Sequence, residues 1–175
     1  MATLTSQAGG GGGSTMLAAV TSTVDVHSTT TETTLISTTL PGGEIGTDNM
    51  IRVALFLSDF DSSGGYVAFR LKYGATTVAT FNFENGATGL TNTNGEFQAV
   101  LLAAGSASSQ VGTISMQVCS DNNFQESTNM HNSGTGAEDS TGDLTLSITA
   151  QPQVSGTTCG VTVASGYIEL VPMAA

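Results

Sequence analysis

The clearest structural signal lies in residues 67–83, where the sequence reads VAFRLKYGATTVATFNF. In the first half, bulky apolar side chains alternate with Ala68, Arg70 and Lys72 as far as Gly74. The alternation resumes after a very short connection and continues to Phe83. Because successive side chains of a β-strand point to opposite faces, a period of two indicates strands. The stretch therefore predicts a β-hairpin.

The same alternation recurs on both sides of this hairpin. It is found in residues 16–26, 51–57, 97–102, 114–119, 144–149, 161–163 and 167–171. A threonine-rich segment, residues 29–34, leads into Leu35 and Ile36 and ends at a turn at Pro41. No segment places apolar residues at helical spacing over three turns, so the pattern predicts an all-β fold. We expect an antiparallel β-sandwich of jelly-roll type, with an immunoglobulin-like sandwich as the alternative.

The length of 175 residues fits one domain with a two-layer core. Residues 9–13 are five consecutive glycines, whose backbone freedom is too large for a regular element to recover on folding. We therefore predict a flexible N-terminal arm over residues 1–14 and a single β-sandwich domain over residues 15–175.

The charge balance excludes two classes of partner. The chain has 14 acidic residues against three basic ones, and its net charge is −11. Nucleic acids and anionic membrane surfaces are bound by clustered Lys and Arg, so we expect neither as a partner. The first residues contain no apolar run suited to a signal peptide, and no segment is suited to crossing a bilayer, which predicts synthesis and folding in a cytoplasm.

The sequence contains no recognisable catalytic motif, and we predict that the protein is not an enzyme. The chain has two histidines, His27 on the polar side of the first strand and His131 in a polar segment, and both are interpreted as solvated or interface side chains. The two cysteines, Cys119 and Cys159, are expected to be buried thiols, with a disulfide as the alternative. Cysteines and histidines are far apart in sequence, so no transition-metal site is expected.

One short motif suggests a calcium loop. Residues 59–64, DFDSSG, match the first six positions of a D-x-D-x-[DNS]-G loop, which makes Asp59, Asp61 and Ser63 candidate ligands. Arg70 stands where an EF-hand has its bidentate glutamate, and the flanking segments predict strands rather than helices. A plain turn over residues 59–65, in which Asp and Ser satisfy backbone groups, explains the same residues without a metal.

Residues 120–142 are polar and rich in asparagine and glycine, which predicts the longest loop of the chain. Long loops in compact domains often carry the contacts of a protein. A binding function would therefore place its ligand at this loop.

Residues 34–43 leading into residues 50–53, together with residues 69–78, form a strand-turn-strand pattern that resembles small accessory proteins of tailed-phage virions. The nearest groups are capsid decoration proteins and jelly-roll modules of head or tail fibres. The resemblance covers roughly residues 16–171 and assigns no role to an individual residue. It implies a homo-oligomer, commonly a trimer, bound to the major capsid protein or another virion protein, with the N-terminal arm against a neighbouring subunit.

Two functions follow as hypotheses. The first is a virion structural protein, a capsid decoration or stabilising protein on the outside of a tailed-phage head, assembled in the host cytoplasm. The second is a receptor- or glycan-binding β-sandwich that serves attachment, either without a cofactor or with calcium at Asp59 and Asp61.

Overall fold

The computed structural model describes residues 13–46, 49–83, 90–91, 93–119 and 128–173. Most of the predicted N-terminal arm lies outside these residues. Within them the chain forms strands and no helix. In chain order the strands are β1 (Thr15–Val20), β2 (Val24–Val26), β3 (Thr33–Leu40), β4 (Asn49–Asp61), β5 (Val67–Tyr73), β6 (Thr76–Phe83), β7 (Asn94–Ser106), β8 (Ser109–Cys119), β9 (Thr128–Gly136), β10 (Leu144–Pro152) and β11 (Gly160–Pro172).

The strands form two antiparallel sheets packed face to face. The large sheet has the order β1-β11-β4-β7-β8-β9, with β2 also paired to β11, and the small sheet has the order β3-β10-β5-β6. Eight strands form the jelly-roll arrangement, because the chain passes back and forth between the two sheets. The four strands β1-β11-β4-β7 of the large sheet face the four strands β3-β10-β5-β6 of the small sheet. The predicted fold is therefore confirmed. Strands β8 and β9 extend the large sheet beyond that frame.

The core lies between the sheets and follows from the alternation in the sequence. In β5 every second side chain from Val67 to Tyr73 is no more than 1% exposed. Aromatic rings fill the centre. The ring centroids of Phe60 and Phe83 lie 4.7 Å apart in an edge-to-face contact, and those of Phe69 and Phe97 lie 5.3 Å apart. Burying one such side chain contributes roughly 1.5–3 kcal/mol as an upper estimate, which makes this layer the main stabilising element.

At one side of the sandwich the two sheets meet edge to edge. The Asn132 side chain on β9 donates a hydrogen bond to the Thr80 carbonyl on β6, at 2.6 Å. A Cβ added to Gly134 would lie 2.0 Å from the Val78 carbonyl oxygen. Only a residue without a Cβ permits this approach, so Gly134 is required for the contact between the sheets.

Strand β9 corrects the prediction of a single loop over residues 120–142. Residues 128–136 pair with β8 in continuous antiparallel register, from Thr128 opposite Val118 to Gly136 opposite Gln110. Backbone hydrogen bonds form such a ladder whatever the side chains are. An edge strand with few apolar residues therefore has no alternation to reveal it.

The turn predicted over residues 59–65 is also wrong at its start. Asp59 and Asp61 belong to β4, where they pair with Thr162 and Gly160 of β11. The chain turns only after Asp61. Two smaller differences concern strand bounds. A break separates β1 from β2 within residues 16–26. Strands β7 and β8 extend beyond the alternating residues 97–102 and 114–119 and meet at a tight turn.

None of the described segments is a helix of the length and apolar character needed to cross a membrane.

Candidate functional site

The outer face of the small sheet carries a polar groove, which we call the small-sheet groove. It has a volume of about 310 Å³. Its lining residues are contributed by β5, β6, β10 and the segments beside them: Thr30, Tyr66, Ala68, Arg70, Thr80, Asn82, Gln151, Pro152 and Gln153.

The strand register explains why a depression forms here. Ala68 on β5 pairs with Gln151 of β10 on one side and with Asn82 of β6 on the other. The small alanine therefore stands between two longer carboxamide side chains, and it is only 3% exposed. A short residue between two long ones leaves a notch on the pleated surface.

Arg70 forms the next row of the groove, between Thr149 and Thr80. Its Nη2 donates to the Gln151 Oε1 at 2.9 Å, and its Nη1 lies 3.5 Å from the Glu32 carboxylate. Nη1 is buried and has no hydrogen-bond partner. The guanidinium is thus held in place by two side chains while part of its donor capacity remains unused.

Glu32 links the groove to the neighbouring Lys72. The Glu32 carboxylate accepts hydrogen bonds from the Thr149 hydroxyl at 2.6 Å and from the Lys72 ammonium at 3.2 Å. The Thr149 hydrogen bond, followed by Lys72 and the charge of Arg70, lowers the pKa of Glu32 below its ordinary value. Two of the three basic residues of the whole chain therefore lie on this one face.

At the end of the groove, Tyr66 and Gln153 bind each other through reciprocal hydrogen bonds. The Tyr66 amide donates to Gln153 Oε1 at 3.3 Å, and the Gln153 amide donates to the Tyr66 carbonyl at 2.9 Å. The same carbonyl accepts from the thiol of Cys159 at 3.2 Å, and Cys159 is a buried free cysteine, as expected. These bonds fix the backbone that carries the Tyr66 ring. The side chain of Cys119 lies outside the description.

A second, more open depression of about 290 Å³ lies at the side of the sandwich where β1 and β3 face each other. It is lined by small and aliphatic residues with a few hydroxyls, from Ala19 to Val24 and from Thr34 to Ser37. It offers fewer converging polar groups than the small-sheet groove and is the weaker candidate.

The structure separates the three residues of the predicted calcium loop. Asp59 and Asp61 lie on the same face of β4, and one carboxylate oxygen of each lies within 4.8 Å of the other. Ser63 is exposed on the turn that follows, and its hydroxyl lies 3.4 Å from the Thr158 carbonyl. The third residue near the two aspartates is His27, which sequence reasoning did not connect with them.

The other predicted sites lie apart from the groove. His131 is exposed on β9, opposite Ser115 of β8. Residues 120–127 of the predicted contact loop lie outside the described residues. The groove itself had no signal in the sequence beyond the polar half of the hairpin pattern, because Ala68, Asn82 and Gln151 meet only through strand pairing.

No family model and no curated protein matches the chain. Among solved structures, it is similar to the CBM2 module of the evolved Dit of Lactobacillus casei BL23 phage J-1, with a TM-score of 0.40 and 11% identity over 79% of this chain and 70% of that one. It is also similar to peanut lectin with a nine-residue peptide, with a TM-score of 0.33 and 10% identity over 80% of this chain and 79% of that one. At TM-scores below 0.5 neither likeness assigns a function, and the fold rests on the strand order of the chain itself.

Proposed function

We propose that the protein is a glycan-binding β-sandwich and that the small-sheet groove binds a saccharide of a cell surface. The observation that carries the proposal is the row Gln151–Ala68–Asn82, a notch with a carboxamide on each side. A carboxamide offers both donors and acceptors, and a sugar hydroxyl needs both. Small-ligand sites use a few placed polar groups to fix the orientation of the ligand, and the carboxamides of Gln151 and Asn82 can serve in that way.

Tyr66 and Arg70 supply what a notch of amides lacks. The ring of Tyr66 can lie against the apolar face of a pyranose, because a tyrosine combines an apolar body with a polar tip. Arg70 lines the groove, where Gln151 and Glu32 hold its guanidinium in place, and its positive charge suits an acceptor-rich ligand. The presence of Arg70 and Lys72 in a chain of net charge −11 also lets this face accept an acidic sugar.

With the sequence resemblance to tailed-phage accessory proteins, the proposal becomes an attachment module of a virion. The capsid decoration hypothesis, the homotrimer and the non-enzymatic character stay predictions of the sequence. They concern partner chains and reactions on which the groove has no bearing.

The test is binding of the purified chain to a panel of bacterial surface polysaccharides, followed by titration calorimetry of the best oligosaccharide. Two variants change the groove in opposite ways. Ala68→Leu fills the notch and should abolish binding, and Asn82→Ala removes one hydrogen-bonding partner and should weaken binding about 3- to 10-fold.

Gln98→Ala is the matched control, because Gln98 is exposed on the large sheet and its amide bonds to Glu96 on the same strand. Its affinity should equal that of the wild type. Binding that survives Ala68→Leu in a folded chain, or binding lost equally in Gln98→Ala, would show that the groove is not the site. A wild-type chain that binds no polysaccharide of the panel while binding virion shells would favour decoration instead.

A further inference from the structure

A second constellation lies on the outer face of the large sheet, at the end of β4. The β11 strand pairs with β2 on one side and with β4 on the other. Gly160 of β11 pairs with Asp61, and a Cβ added to Gly160 would lie 2.5 Å from the His27 ring. The imidazole of His27, which follows β2 directly, therefore lies over Gly160 and reaches toward Asp61. The absence of a side chain at Gly160 makes this approach possible.

The next row of the same face adds two more carboxylates. Thr162 pairs with Asp25 on β2 and with Asp59 on β4. Nδ1 of His27 lies 2.6 Å from Asp25 Oδ1, and Nε2 lies 3.4 Å from Asp61 Oδ2. One ligand atom from each of His27, Asp59 and Asp61 lies within 4.8 Å of the other two.

The burial of His27 makes this cluster different from a solvated acidic patch. The His27 side chain is 11% exposed and the Asp61 side chain 5% exposed. The Nε2 atom of His27 is buried and has no hydrogen-bond partner. When Nδ1 donates its proton to Asp25, Nε2 carries a lone pair that faces the carboxylate oxygen of Asp61. Two acceptors that face each other repel, and a cation bound between them would remove this repulsion.

We propose that His27 Nε2 and one carboxylate oxygen each of Asp59 and Asp61 bind a divalent transition-metal ion of the zinc class, with Asp25 as the positioning residue of His27. Histidine ligands of metals commonly donate their other ring N–H to a carboxylate, and Asp25 occupies that place. Ligands at about 2.0–2.2 Å from zinc lie roughly 3.3 Å apart. His27 Nε2 and Asp61 Oδ2, which are 3.4 Å apart, already have this separation. The ligand atom of Asp59 lies within 4.8 Å of the other two, so it needs to approach by at most about 1.5 Å. A fourth coordination position stays open to water or to a ligand group.

The donor set favours zinc over the calcium that the sequence motif suggests. Calcium takes six to eight oxygen ligands, whereas an imidazole nitrogen with two carboxylates suits zinc. The bound ion would join the end of β2 to the end of β4 across β11. It would hold the N-terminal strands on the sandwich.

The test uses the full chain, purified without a histidine tag, stripped with chelator and titrated with ZnCl₂, CoCl₂ and CaCl₂. One equivalent of zinc should bind, cobalt should give visible d–d absorption bands of nitrogen and oxygen ligation, and calcium should give no heat at the same concentration. Metal should also raise the melting temperature of the stripped chain.

Three variants and one control resolve the roles. His27→Gln and Asp61→Asn should each lower the affinity for zinc at least 100-fold, whereas Asp25→Asn should lower it about 10- to 100-fold and keep one equivalent. Asp139→Asn, the same carboxylate-to-amide change beside Thr141, should leave the affinity unchanged. If a variant does not fold, the cobalt spectrum of the wild type decides.

Two results would overturn the proposal. One is a stripped wild-type chain that binds neither zinc nor cobalt, which would leave His27 as a structural side chain between Asp25 and Asp61. The other is calcium binding tighter than zinc.

Discussion

The contact between β6 and β9 can be tested by adding one methyl group. In Gly134→Ala the new Cβ would lie 2.0 Å from the Val78 carbonyl oxygen, where an ordinary contact is 3.4–4 Å. The two edges must therefore move apart by more than about 1 Å. Overpacking of this kind costs about 1–3 kcal/mol, and the hydrogen bond from Asn132 to the Thr80 carbonyl adds about 0.5–1.5 kcal/mol when it breaks.

The expected loss is about 2–4 kcal/mol of unfolding free energy, which corresponds to roughly 5–15 °C in melting temperature for a chain of this size. Urea unfolding followed by circular dichroism measures this change in free energy. An unchanged m-value would show that unfolding exposes the same surface area in the variant as in the wild type. Gly142→Ala is the matched control, because a Cβ there meets nothing within 4 Å. That variant should be neutral or slightly more stable.

A Gly134→Ala chain within about 0.5 kcal/mol of the wild type would refute the reasoning. It would mean that β6 and β9 are not held together at this position. Because β6 also carries Asn82, the same variant should weaken glycan binding if the edge contact positions the groove.

Three further predictions concern polar side chains. Glu138→Ala should lower the unfolding free energy by about 1–2 kcal/mol in denaturant titrations, because Glu138 holds the β5–β6 turn through the Thr76 hydroxyl at 2.5 Å and a neighbouring amide. Gln110→Leu should cost about 2–4 kcal/mol in the same assay, since Gln110 is fully buried and makes three hydrogen bonds to the main chain. The pKa of Glu32 is lowered chiefly by the Thr149 hydrogen bond, so the stabilisation from its carboxylate is complete above the ordinary value of 4.5 and is lost as the pH falls through the lower pKa of the folded state. In thermal melts over this pH range, Glu32→Gln should show a weaker dependence of stability on pH.

The hairpin of β5 and β6 shows what alternation can predict and where it stops. The alternation in residues 67–83 predicts both strands and their antiparallel pairing, and the structure confirms them. The register shifts between Leu71 and Lys72, however, so that Val78 and Ala79 are both buried. A bulge places two residues of one strand opposite one residue of the other. The alternation of apolar and polar residues in the sequence does not predict where such a bulge lies.

Strand β9 marks a different limit. Its residues form a strand because their backbone pairs with β8. Gly134 has no side chain, which lets β9 approach the backbone of Val78 on β6. Glycine and asparagine are depleted in strands and common in turns, so the sequence of this segment predicts a loop. The interactions that make it a strand come from β8, the preceding strand, and from β6, which lies further back in the chain.

Both candidate sites arise in the same way, and this explains why sequence reasoning found neither as a unit. In the small-sheet groove the row is Gln151–Ala68–Asn82, and in the metal cluster it runs from His27 over Gly160 to Asp61. In each, a small residue on a middle strand lets two polar side chains from its neighbours face each other. The motif at residues 59–64 did single out Asp59 and Asp61, because they are close in sequence. Their partner lies 32 residues before Asp59 and becomes a neighbour only because β11 pairs with β2 and β4 at once. A jelly roll places distant strands side by side, so its outer faces can build sites whose ligands have no common spacing in the sequence.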